Sequence, residues 1–147
     1  MAAAGLKFNR FYSAAPVCSP TRGSCLTGRH PFRYGVYSAN VGHMKQNEVT
    51  LPELLREAGY ATGHFGKWHL SNNMIPDSPL PSEYGFDVYG AFNCAGEQMP
   101  VHEDANHAIS FIKQCRQAGK PFFINLWIHE PHTPFHTVPK YEWRFRN

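Results

Sequence analysis

The stretch Val17–Arg29, V-C-S-P-T-R-G-S-C-L-T-G-R, decides how the rest of this 147-residue chain is read. Ser19 is placed as an N-cap, Pro20 suits the first helical position and Gly28 stands where a C-cap belongs, so the spacing predicts a short helix. Cys18 then lies just ahead of that helix, where unsatisfied amide hydrogens and the helix dipole favour anionic chemistry. Arg22, one turn on, can reach back to the same point. Upstream, Lys7–Ser13 (K-F-N-R-F-Y-S) alternates loosely and is aromatic, which predicts a short strand that delivers Cys18 through A-A-P-V. Strand-to-helix junctions are where α/β folds gather their chemistry. Most free cysteines are small buried hydrophobes, but Pro20 and Arg22 beside this one favour a reactive thiol.

Working outward, Thr50–Gly59 (T-L-P-E-L-L-R-E-A-G) predicts a helix. Thr50 and Glu53 form a capping box, Pro52 falls in the first turn and Gly59 ends the element. Leu51, Leu54, Leu55 and Ala58 make its expected buried stripe. Tyr60–Phe65 then reads as a strand running into G-K-W-H-L, where Lys67 and His69 share a face if the chain is extended. A fixed ammonium beside an imidazole makes an anion site with a proton-handling partner. An isolated K-x-H would ordinarily be a surface lysine and a hydrogen-bonded histidine.

Residues 71–96 are rich in Pro, Ser, Asn and Gly and read as a long excursion over the active face, with Gly85–Tyr89 a candidate strand. Glu103–Gln117 carries Ala105, Ala108, Ile109, Ile112 and Cys115 at helical spacing, closed by Gly119. His107 and Cys115 are assigned to packing or surface. Pro121–Ile128 is a nearly continuous apolar run, expected of a central strand covered on both faces. With the preceding helix it predicts a right-handed crossover in a largely parallel sheet. The strand opens into H-E-P-H-T-P-F-H, whose His129, His132 and His136 are either a metal cluster or polar loop residues; zinc would want three or four convergent ligands.

The length fits one domain with a modest core. A net charge of +3, with Lys and Arg scattered, makes nucleic acid a poor partner. Nine histidines and the basic bias suit an anionic substrate without establishing one. No apolar run reaches membrane-span length, and M-A-A-A-G-L-K-F lacks the order of a signal peptide. Cys18, Cys25, Cys94 and Cys115 are too irregular for a disulfide framework or paired zinc knuckles.

C-S-P-T-R at 18–22, its continuation L-T-G-R-H-P, then G-K-W-H-L at 66–70 and P-H-T-P at 131–134 together resemble the formylglycine-dependent sulfatases of the alkaline phosphatase superfamily. The resemblance implies an α/β fold with a mixed, largely parallel sheet flanked by helices, incomplete here, so that residues 1–147 form a partial catalytic domain. It implies a sulfuric ester hydrolase in which a formylglycine-generating enzyme oxidises Cys18. One hydroxyl of the hydrated aldehyde would attack sulfur, and the other would later expel sulfate. Arg22 would hold the diol, His69 would assist its deprotonation, and Lys67 and His132 would bind sulfate, one of them protonating the leaving oxygen.

The family also implies calcium or another divalent cation, with the formylglycine from Cys18 among its ligands. The tandem Asp expected before residue 1, and the Asp-Asn pair and Lys expected beyond Asn147, are not in this sequence. A fragment that binds calcium poorly and turns over little is therefore expected. The substrate would be an aryl, steroid or carbohydrate sulfate, and export of the parent to periplasm, lysosome or exterior is a family expectation. Three rivals remain. A cysteine-thiolate phosphatase needs a longer loop than the three residues between Cys18 and Arg22; a phosphoesterase of the same superfamily would carry Ser or Thr at 18; and a catalytically silent α/β module would leave open sheet edges.

Overall fold

The computed structural model describes residues 2–71 and 78–133. Among them, the helices are α1 (Cys18–Thr27), α2 (Pro31–Tyr34), α3 (Leu51–Glu57) and α4 (Asp104–Gln117), and the strands are β1 (Ala61–Lys67), β2 (Val88–Phe92) and β3 (Phe122–Trp127). The three strands form one parallel sheet in the order β2-β1-β3. Lys67 pairs with Phe92 and Gly66 with Trp127, so all three strands deliver their C-terminal ends to one edge. This is the α/β architecture expected from the sequence.

β1 is the centre, with every residue buried. Its alternation divides two cores. His64 faces a cluster built from Trp68, Phe86, Tyr34 and Leu26, with Trp127 packed against it; Phe65 faces Ala108, Phe111 and Cys115 of α4. Gly66 lies at φ 103, and a Cβ there would sit 2.2 Å from the Trp127 carbonyl oxygen. Only glycine allows β3 to lie this close at the end of β1.

Several boundaries and faces differ from the sequence reading. Lys7–Ser13 forms no strand; the segment is irregular, with Phe8, Phe11 and Tyr12 exposed. A strand needs a neighbour to satisfy its backbone groups, and among the described residues none lies alongside it. α1 starts at Cys18 itself, with Val17 as an N-cap that makes no side-chain bond, and Ser19 is buried inside the helix. The Thr21 hydroxyl instead donates to the Ala15 carbonyl at 2.7 Å and ties the approach loop to the first turn. Gly28 closes α1 at φ 67, as its position predicts.

The capping box of α3 is present, but its leucine stripe is not buried: Leu51 is 42% and Leu54 53% exposed, Ala58 is exposed and Leu55 half-buried. Pro52 is the buried residue of this helix, while Leu51 and Leu54 line an open cleft shared with Leu26 and Thr27 at the end of α1. In α4 the period is right and the phase is off. Asp104, Ala108, Phe111 and Cys115 point inward while Ala105 and Ile109 point out, since the Phe111 ring packs 5.7 Å from that of Phe65.

β2 begins at Val88 and not Gly85, and it belongs to the main sheet instead of an excursion; Gly85 is a left-handed turn at φ 90. Residues 72–77 of that segment lie outside the described residues. β3 is present where expected but, among the described residues, lies at the side of the sheet, with Phe122 and Leu126 partly exposed. Its composition reports how apolar its surroundings can be, whereas pairing on both sides falls to β1.

Candidate active site at the C-terminal edge of the sheet

α1 presents its first residue, Cys18, to the end of β1. Lys67 Nζ donates to Cys18 Sγ at 3.7 Å, and the lysine is only 2% exposed. Arg22, one turn along α1, donates from Nη1 to the Lys67 carbonyl at 3.1 Å and stacks 4.7 Å over the Trp127 ring at the end of β3. The helix and two strand ends are thus locked together by one guanidinium. Burial lowers the Arg22 pKa, with the thiols of Cys18 and Cys25 acting in the opposite sense, and arginine stays charged regardless. Burial, then Arg22, lowers that of Lys67, and Cys18 opposes both. An open cleft of about 560 Å³, bounded by Pro16, Val17, Cys18, Thr21, Arg22 and Trp127, reaches the thiol.

His69 arrives by a different route from the one its spacing predicts. It lies at φ 58, outside extended geometry, so no strand alternation carries it to Lys67. A non-glycine residue held there costs about 1 kcal/mol, and the backbone bond from His69 N to Asn93 O at 2.9 Å helps hold it. Its Nε2 lies 2.6 Å from Asn40 Oδ1. Burial first, then Lys67, Arg22 and His132, depress its pKa to about 4, so the ring is neutral at pH 7.

His132 stands in an exposed turn in which its backbone N–H donates to the His129 carbonyl, and the two imidazoles are 5.1 Å apart. His136 lies outside the described residues. Cys18, Arg22 and Lys67 are therefore in direct contact, while His69 and His132 flank them at electrostatic range.

Three contributors escaped sequence reading. Trp127, under Arg22, was findable from its place at a strand end. Asn40, in an irregular loop, carried no signal. The third is a buried pair, in which Asn125 Nδ2 donates to His64 Nδ1 at 2.9 Å directly beneath the Trp68 and Trp127 rings. Burial first, then Arg22, depresses His64 to about 3.

Among the described residues, no three His, Cys, Asp or Glu side chains converge where a metal ion could sit. A hard divalent cation needs several oxygen donors, whereas this cluster offers a thiol and cations. The described residues do not by themselves fit such an ion. Nor is any helix among them long and apolar enough to cross a membrane.

The parallel α/β sheet thus carries a thiol, a guanidinium, an ammonium and an imidazole at or near its strand ends. The chain belongs to the sulfatase family, whose signature matches residues 1–147. It is 36% identical to N-acetylgalactosamine-6-sulfatase of Canis lupus familiaris over 91% of this chain and 34% of that protein. It is 46% identical to arylsulfatase G of Homo sapiens over 60% of this chain and 17% of that protein. The crystal structure of Ps i-CgsB in complex with k-i-k-neocarrahexaose superposes with a TM-score of 0.73 at 23% identity, covering 91% of this chain and 39% of that one. The chain thus spans about a third or less of the length of these curated relatives.

Proposed function

We propose that residues 1–147 form part of the catalytic domain of a sulfuric ester hydrolase whose working group is a formylglycine made from Cys18. The observation that carries this reading is the meeting of Cys18, Lys67 and Arg22 where α1 starts and β1 ends. The thiol fits the modification: it sits in the first turn of α1, reachable from an open cleft and clear of any disulfide. Once formed and hydrated, the formylglycine would supply a hydroxyl nucleophile toward the sulfur of a sulfate ester and a second hydroxyl through which sulfate could be released.

The chain's own side chains divide the remaining work. Lys67 and Arg22 place two cations at one point, where a sulfate oxygen would gain charge as the ester breaks. Lys67 and His132 bind sulfate oxygens, and one of them protonates the departing alcohol. His69, neutral at pH 7, accepts a proton from the nucleophilic group. The calcium of the family would draw its remaining oxygen ligands from residues other than those described, and the isolated chain would turn over little.

The substrate is an aryl or carbohydrate sulfate, with the names of the relatives favouring a sugar. Maturation requires a formylglycine-generating enzyme, and the parent is exported.

The test is to produce the native-length protein together with a formylglycine-generating enzyme. The mass of tryptic peptide 11–22 and the hydrolysis of aryl and galactosamine sulfates are then measured. An aldehyde at position 18 and loss of turnover in Cys18→Ala are expected; an intact thiol with full activity, or an active Cys18→Ala, would overturn the proposal.

A further inference from the structure

The assigned chemistry leaves Asn40 without a role, although it makes the one described side-chain hydrogen bond to His69. We propose that Asn40 is a positioning residue that holds His69 in the tautomer protonated at Nε2, leaving Nδ1 as the proton acceptor. Asn40 Oδ1 is a carbonyl oxygen and can only accept, so across 2.6 Å the hydrogen belongs to His69 Nε2. A neutral imidazole carries one N–H, so Nδ1 must hold the lone pair. That atom is buried and, among the described residues, has no hydrogen-bond partner.

The backbone confirms that the contact is built and not incidental. Asn40 and His69 both lie in the left-handed region, at φ 60 and 58, and the pair joins residues 29 apart in the chain. Non-glycine residues enter that conformation uncommonly, asparagine and histidine more readily than most, and each does so at some cost. His69 is 8% exposed whereas Asn40 is exposed, so the loop carries a polar side chain in from solvent to meet a buried ring.

The choice of an amide also has a chemical reason. A carboxylate at position 40 would fix the same tautomer but would stabilise the imidazolium, which cannot accept a proton. An amide fixes the ring without adding charge, and burial first, then Lys67, Arg22 and His132, keep it neutral. The inference rests on the proposed function for the identity of the proton that Nδ1 receives, but the tautomer itself does not depend on it.

The experiment is nitrogen NMR of the His69 ring in the native-length protein, with kinetics on an aryl sulfate, for wild type, Asn40→Gly and Asn40→Asp. Glycine removes the amide while keeping the left-handed backbone unstrained, and aspartate keeps the accepting oxygen. Wild type is expected to be protonated at Nε2. Asn40→Gly is expected to populate both tautomers and to lose kcat about 10- to 100-fold with KM little changed, the usual effect of removing an outer partner of a working imidazole. Asn40→Asp is expected to restore Nε2–H.

Wild-type protonation at Nδ1, an unchanged tautomer in Asn40→Gly, or unchanged kcat in that variant would each overturn the inference. If the wild-type protein hydrolyses no sulfate ester, the proposed function fails, and the ring spectrum of wild type and Asn40→Asp still decides the tautomer.

Discussion

Two imidazoles beneath the C-terminal edge of the sheet are kept neutral first by burial and then by neighbouring cations, Arg22 acting on both and Lys67 on His69. His64 is fully buried among aromatic rings, and His69 is buried beside Lys67 and Arg22. Their folded-state values, about 3 and about 4, lie below the ordinary 6.5. Between those limits the unfolded chain binds more protons, so stability is fully present above about pH 6.5 and is lost as pH falls toward each folded value. Each histidine contributes a slope of about 1.4 kcal/mol per pH unit within its window. Urea midpoints followed downward from neutral pH are expected to fall, and His64→Gln is expected to make the fall shallower. An equally steep fall in that variant would show that His64 is not one of the groups responsible. Neither neutral ring was foreseeable from its neighbours in sequence, because what desolvates them comes from other elements.

At the scale of elements, two glycines set how closely the parts carrying the site approach one another. At Gly23 a Cβ would meet the buried Tyr34 ring at 2.6 Å, and Tyr34 also donates its hydroxyl to the Pro20 carbonyl, fastening α1 to α2. At Gly66 the obstacle is the backbone of β3, and the positive φ adds strain. A ring can shift within its pocket; a paired strand cannot without breaking its ladder. Gly23→Ala is therefore expected to destabilise by about 1–3 kcal/mol, and Gly66→Ala by about 3 kcal/mol or more, because the clash and the strained φ combine. Thermal melting of the two variants checks the order, and a milder effect at Gly66 would contradict this account of the β1–β3 approach. Periodicity made α3, α4, β1 and β3 legible at this scale. It did not show which face of each helix meets the sheet, because Leu54 and Phe111 look equally apolar until their partners are placed.

Across the whole molecule, apolar surface is left bare on α3 and at the end of β3. Leu51 and Leu54 on α3, and Leu126 with Ile128 at the end of β3, are all between 39% and 53% exposed. Among the described residues, β2 and β3 each pair on one side only. Open strand edges and contiguous apolar faces favour association. Light scattering of the 147-residue chain is expected to show mass rising with concentration, and the double variant Leu54→Lys, Leu126→Lys is expected to reduce it. A monomer at every concentration would mean that these surfaces are tolerated by the chain alone.

What the residues determined unaided is what lies within a few positions of itself. C-S-P-T-R and G-K-W-H-L name the family, Thr50 with Glu53 caps a helix, and Gly28 closes another. Each is a local arrangement of backbone and neighbouring side chains, complete over one or two turns. The tertiary structure decided everything that needs a distant partner. Examples are the side position of β3, the inward face of α4, the left-handed turn that brings His69 to the site, and the carbonyl of Asn40 that meets it from 29 residues away. Burial and hydrogen bonding depend on what lies across a gap in space, and no spacing along the chain records that.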